Sequence, residues 1–289
     1  MTPILGILLA LGCALTTNIA FLYKHKGACA APAIDMRRPL RSARSLFASR
    51  WFAIGMLIAV LAWILHVGAM AVAPLSLVQA VLAGGIVLLA VMAERLMGLK
   101  ISRRQWLGLA LTATGLLLLG ITFPAIHGPH SRFSLPGMIA FEAGLVAFGT
   151  LLIMGPRIGA PKHHHAYMLG AAGGILFGVS DVAIKAISGF VHSHGVLGLL
   201  SPWTLLTVAA SIAAFYASAK ALQDGDAVPV IAVTGTAANI AGIVGGVLVF
   251  GDPLSGNPLA LVVQCLAFLL VFVAAWLTPA PVRAAATLA

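Results

Sequence analysis

Along most of the chain the apolar residues neither alternate with polar ones nor keep to one helical face. They run almost unbroken for about twenty positions at a time. Nine such runs can be marked, approximately 2–23, 51–73, 74–95, 104–123, 135–155, 166–188, 201–221, 227–250 and 258–278. Roughly 20 consecutive apolar residues in a helix cross the hydrocarbon core of a bilayer, so the pattern predicts nine transmembrane helices. A membrane β-barrel would instead alternate polar and apolar residues in segments of about ten. Pro74 marks a tight connection between the second and third runs, and the longest polar interval is 24–50, "KHKGACAAPAIDMRRPLRSARSLFASR".

Composition agrees. Hydrophobic residues make up 61% of the chain and charged residues 8%, against roughly 25% charged in soluble domains. Mean hydropathy is +1.07. The expected fold is an all-α polytopic membrane protein, in a plasma membrane of bacterial type. The net charge of +10 changes meaning once it is placed on this topology. With the N-terminus outside and the C-terminus inside, all of the 17 lysines and arginines except Arg132 and Lys185 fall on the inner side. That is a positive-inside bias, so the charge reads as topology and not as a nucleic-acid surface. Lipid is the expected surrounding partner. The basic interval 24–50 reads either as lying on anionic headgroups or as a solvated connector. Cys13, Cys29 and Cys265 are scattered and show no metal or disulfide spacing. The first run follows "MTP", which lacks a basic n-region, so it is expected to be retained as a helix.

A weak internal repeat runs through the chain. "AMAVAPLSLVQAVLAGG" (69–85) lies over "AKALQDGDAVPVIAVTG" (219–235), and "MGLKIS" (97–102) meets "FGDPLS" (250–255). "FLYKHKG" (21–27) resembles "VAIKAISG" (182–189), which sets Lys24 against Lys185 and Asn18 close to Asp181. These matches relate helices 1–4 to helices 6–9 in inverted orientation. The expected organisation is a first half, 1–123, a connector with helix 5, 124–165, and a second half, 166–289. Inverted repeats mark secondary transporters, whose sites lie near the midplane between the halves.

The strip "APLSLVQAVLAGGIVLLAVMAERLMGLKISRRQWLGLALTATGLLLLG" (73–120), with "ALQDGDAVPVIAV" (221–233) and "FGDPLSG" (250–256), resembles the drug/metabolite transporter superfamily of EamA-like proteins. Nine helices and a lysine-rich end to helix 1 are most similar to its NIPA-like magnesium transporter branch. The superfamily's link glutamate falls here at Leu99, with Asp252 as the counterpart in the second half, and Glu94 lies five residues before the link position.

Few polar residues sit inside the runs. Among the acids only Glu142 and Asp181 lie well within helices, and both are expected to face a cavity open to the outer side. Asp181 precedes Lys185 by one turn, the favourable order for an intrahelical ion pair. The pair therefore reads equally as structural neutralisation or as part of a transport site. Glu142 has no basic residue at i±3 or i±4, so its carboxyl is protonated, paired across helices or wet. His66, Asn18, Gln79, Asn239 and Tyr216 complete the expected substrate-binding set, although packing or interhelical hydrogen bonding would account for each. Under a magnesium reading, Glu142 and Asp181 are the expected cation contacts. The triplet His163–His164–His165 sits in a loop, where consecutive residues rarely converge on one ion. Gly170, Gly174 and Gly178, and Gly242 with Gly246, form small-residue faces that let helices approach closely. Pro229 is expected to kink helix 8.

No hydrolase, metalloprotease or P-loop motif is present, so the chain reads as a non-enzyme with no cofactor. Three functions remain. First is a secondary carrier of a small metabolite or drug-like solute by alternating access. Second is a magnesium or other divalent-cation transporter, which the NIPA-like resemblance implies. Third is a non-transporting scaffold or lipid-binding protein, which would leave Glu142, Asp181 and His66 facing lipid or tight contacts with no cavity. Homodimer formation is left open.

Overall fold

The computed structural model describes residues 2–35, 37–85, 103–122, 131–225, 227–252 and 254–277. Among them all regular structure is helical. The α-helices are α1 (Thr2–Ala30), α2 (Pro39–Ala48), α3 (Arg50–Val72), α4 (Leu75–Gly85), α5 (Arg103–Thr122), α6 (Leu135–Ile153), α7 (His165–His194), α8 (Pro202–Asp224), α9 (Ala227–Val249) and α10 (Pro258–Leu277). Six of the described helices are long and apolar enough to cross a membrane: α1, α3, α6, α7, α8 and α9. Their outward faces carry exposed apolar side chains such as Leu57 and Ile64 on α3 and Leu205 and Ile212 on α8. A soluble protein does not leave apolar surface on this scale in water. The protein is an integral membrane protein.

Helix ends follow local chemistry. Proline, whose fixed φ suits a first turn where no N–H partner is needed, lies in the first turn of α2, α6 and α8. The Ser134 hydroxyl caps α6 by accepting from the Gly137 N–H at 3.3 Å. Pro74, lacking an N–H, separates α3 from α4. Three elements differ from the sequence expectation. Helix α1 continues past residue 23 to Ala30, because Gly27 lies directly against the Phe52 backbone and keeps the helix packed on α3. Helix α7 runs past 188 to His194, where Phe190 joins an edge-to-face cluster with Phe133. The polar interval 24–50 contains a helix of its own, α2. The link 97–102, Glu94, the side chain of Pro229 and residues beyond 277 lie outside the described residues.

Helix α7 is the centre of the molecule. Two-thirds of its apolar window (67%) is buried, against 17% in α6, whose surface therefore faces outward. It packs against α3, α6, α8 and α9, while α1 packs on α3 and α5 on α10. Its glycines permit this. A Cβ on Gly174 would collide with the Thr234 carbonyl of α9, and one on Gly178 with Ala241 of the same helix. The Gly173 position faces Ser218 and Ala214 of α8.

Candidate functional site

The stretch "LFGVSDVAIKAISG" (176–189) carries both an aspartate and a lysine in the most buried of the six membrane-length helices. They do not pair with each other. Asp181 Oδ1 accepts from His66 Nε2–H of α3 at 2.9 Å, and Oδ2 accepts from Gln79 Nε2–H of α4 at 2.8 Å. Lys185 Nζ donates to the Met70 and Ala73 carbonyls at 2.8 and 3.0 Å. The physical reason is position along the bundle. Lys185 reaches the end of α3, where the last carbonyls of a helix lack intrahelical partners and the dipole favours a cation. Asp181 lies one turn away, level with His66 and Gln79. The intrahelical reading of Asp181 and Lys185 is replaced by two separate sets of contacts.

Asp252 completes the arrangement around the α3–α4 break. Its Oδ2 accepts from the Ser76 N–H in the first turn of α4 at 2.7 Å. Its own N–H donates to the Gly246 carbonyl at 2.9 Å, closing the end of α9 through Gly251, which adopts φ +62°. A left-handed residue after a helix end is a glycine position. Lysine on a helix C-terminus and aspartate on a helix N-terminus thus hold the same junction from two sides.

Two cavities meet at Asp181. One, of about 200 Å³, is lined by Cys13, Thr17, Lys24, Trp63, His66, Asp181, Thr234 and Asn239, among others. The other, of about 450 Å³, is lined by Lys24, Phe52, Met56, Trp63, Asp181, Thr207, Ser211 and Phe215, among others. Their far ends, at Lys24, Phe52 and Leu222, are the ends of α1, α3 and α8 beside the basic interval. The sequence expectation places the opening at the other end of the bundle, where a separate pocket of about 720 Å³, lined by Phe133, Phe190 and Trp203 among others, includes neither Asp181 nor Glu142. The cause is the main apolar cluster, in which Met70, Leu75, Val78, Met138, Val182 and Phe250 fill the Pro74 end of the bundle.

The remaining expected site residues divide. Asn239 is buried and lines the smaller cavity. Asn18 is buried on α1 and donates to the Ala14 and Gly85 carbonyls at 2.9 and 2.7 Å, joining α1 to α4. Glu142 is buried on α6, and neither carboxylate oxygen has a hydrogen-bond partner among the described residues. It lines neither cavity. Tyr216 is elsewhere, donating its hydroxyl to the Pro39 carbonyl at 2.8 Å. Among the described residues no three His, Cys, Asp or Glu side chains gather in a group that could hold a metal ion.

Sequence reasoning passed over several cavity residues. Lys24, read there as a topology charge, lines both cavities with its ammonium 3.9 Å from the Phe21 ring. The resemblance of "FLYKHKG" to "VAIKAISG", which sets Lys24 against Lys185, was the available signal. Ser180, Ser211 and Thr207 form a hydroxyl group in the larger cavity, with Ser180 and Ser211 oxygens 2.9 Å apart. Scattered hydroxyls on two helices carry no sequence signature.

A family model described as "Magnesium transporter NIPA" matches residues 2–281. The chain belongs to this NIPA family. It is therefore a membrane transporter. A probable magnesium transporter of Arabidopsis thaliana, NIPA9, is 23% identical over 281 residues, covering 92% of this chain and 79% of that protein. An uncharacterized protein of Corynebacterium glutamicum is 29% identical over 205 residues, covering 69% of this chain and 68% of its own length. No solved structure matches the chain.

Proposed function

We propose that the protein carries Mg²⁺, or a divalent cation of similar hydration, along the cavities that meet at Asp181. The observation that carries this reading is a carboxylate in the middle of the central membrane helix, held by His66 and Gln79 and lining two cavities. Ionisable groups at such depth are costly and mark substrate or ion pathways. Mg²⁺ gives up its waters reluctantly and commonly takes only one or two carboxylates directly or through water. A cavity of about 200 Å³ is roomy for a hydrated ion, since one water needs only about 10–15 Å³ of such volume. Asn239, Thr17 and Thr234 supply neutral polar groups for the hydration shell. The magnesium reading thus moves ahead of the organic-solute reading, supported by the family and by the named relative.

Transport proceeds by alternating access between two inverted halves, helices α1 and α3–α5 against α7–α10, with α6 as connector and nine spans in all. Corresponding contacts at the two ends support this. Lys185 of α7 holds the last carbonyls of α3. At the opposite end, His25 of α1, beside Lys24, meets the Leu222 carbonyl of α8 at 3.0 Å. Lys24 and Lys185 are matched positions in the repeat. In this arrangement the Pro74 end is closed and the path opens to the basic, inner side.

A second reading, carriage of an organic cation, is favoured by the aromatic lining of the larger cavity: Phe52, Trp63, Phe177 and Phe215. Uptake into proteoliposomes holding a Mg²⁺-sensitive dye separates the two. Under the magnesium reading, dye response exceeds that of empty liposomes and an excess of a quaternary ammonium leaves it unchanged. Absence of response in folded protein, with uptake of a labelled quaternary ammonium, would transfer the site to organic cations.

A further inference from the structure

Helix α2 contributes no residue to either cavity, yet together with the two residues before it, it holds a dense run of positive charge. Arg37, Arg38, Arg41 and Arg44 are all exposed. The nearest acid in sequence, Asp35, is occupied in part with a local turn, its Oδ1 accepting from the Arg37 N–H at 2.9 Å. The other face of α2 is anchored. Ser42 Oγ donates to the Asp35 carbonyl at 3.0 Å, and fully buried Leu46 packs with Ile34, Phe52 and Ala219. Tyr216 holds the Pro39 carbonyl, and Gln223 Nε2 donates to the Ala28, Ala31 and Pro32 carbonyls. The helix is thereby fixed across the ends of α1 and α8.

What it presents outward is mixed. Leu40 and Phe47 are 85% and 47% exposed, and positions seven apart lie within about 20° of each other around a helix. Arg44 follows at about 40° from Leu40 and Arg41 at about 100°. An exposed apolar stripe is therefore flanked by a basic one. The helix joins the end of α1 to the start of α3, two helices long and apolar enough to span the membrane, which puts it at headgroup level. We propose that α2 docks on anionic phospholipid headgroups. The guanidiniums engage the phosphates as bidentate donors, and Leu40 and Phe47 enter the acyl boundary, as in interfacial amphipathic helices. A soluble acidic partner would leave no reason for Leu40 to point out at the level of the bilayer surface. The docking bears on transport, because Leu46 packs on Phe52, and Phe47 stacks at 6.4 Å on Phe215. Both aromatic rings line the larger cavity near its mouth.

The test uses the full chain in nanodiscs of phosphatidylcholine alone or with phosphatidylglycerol, without Mg²⁺ and at low salt. Amide hydrogen exchange is followed in 39–48. Phosphatidylglycerol is expected to slow exchange about tenfold, and 0.5 M NaCl to reverse much of the effect by screening. The combined substitution Arg37→Gln, Arg38→Gln, Arg41→Gln and Arg44→Gln should remove the lipid dependence. Leu40→Asp, a single exposed change, should weaken it if the quadruple variant does not fold. Equal exchange of the native protein in both lipids would overturn the proposal, as would lipid dependence retained in both variants. Protection produced by DNA or an acidic soluble protein but not by phosphatidylglycerol would overturn it in favour of another macromolecule.

Discussion

At the scale of the residue, the charges of α7 serve different neighbours, and substitution should separate them. Lys185→Met strips the donor from two buried carbonyls, Met70 and Ala73. Unsatisfied buried groups cost about 1–3 kcal/mol each. The expected loss is about 2–4 kcal/mol, seen as a lower unfolding temperature in detergent, with uptake per folded molecule within about twofold of native. If Asp181 depended on Lys185 as counter-ion, uptake would collapse instead. Glu142→Gln removes no hydrogen bond, since neither oxygen has a partner among the described residues. Its unfolding temperature should therefore equal or exceed that of the native protein; a fall of several degrees would reveal a partner. The importance of Asp181 was legible in sequence because a carboxylate is expensive in an apolar run. Its partners were not: His66 and Gln79 lie more than a hundred positions away, and the adjacent lysine offered a cheaper local explanation. Tyr216 was expected in the substrate-binding set, while its hydroxyl is spent on Pro39.

At the scale of the element, close approach and helix ends decide packing. Gly174→Val places side-chain atoms where the Thr234 carbonyl and Ala237 of α9 lie, and overpacking typically costs about 1–3 kcal/mol or more. The variant should unfold at a clearly lower temperature, whereas Gly144→Ala, with open space around it, should not. Asp252→Ala removes the cap on Ser76. Loss of such a cap costs about 0.5–2 kcal/mol and should appear as faster amide exchange in the first turn of α4. Helix positions were readable from runs of apolar residues, because burial in lipid needs length more than pattern. Helix α2 was missed for the complementary reason: its sequence, "PLRSARSLFA", is amphipathic and charged, and inside a polar interval it looks like a connector. The glycine faces on α7 were visible, though not which helices they would meet.

At the scale of the molecule, a central helix surrounded by outward-facing apolar partners gives two ends: at one, Met70, Val182 and Phe250 separate Asp181 from a pocket lined by Phe133, Phe190 and Trp203, and the other is reached by the two cavities that meet at Asp181. The charge bias along the chain predicts which end is inside. In a cysteine-free background, a membrane-impermeant maleimide added to intact cells should label Arg132→Cys and leave Arg41→Cys untouched; the reverse would invert the topology. The direction of the opening was not legible in sequence, because it depends on which end of the bundle is packed shut. The central claim, that a divalent cation passes Asp181, meets its most direct test in Mg²⁺ uptake by proteoliposomes containing native protein or Asp181→Asn at matched amounts of folded protein. The substitution keeps the shape and one of the two acceptor oxygens but removes the charge. The account predicts uptake in the native protein and a fall of at least about tenfold in the variant, the scale of losing one charged contact. Equal uptake by the two would contradict it and detach the site from the cation's path.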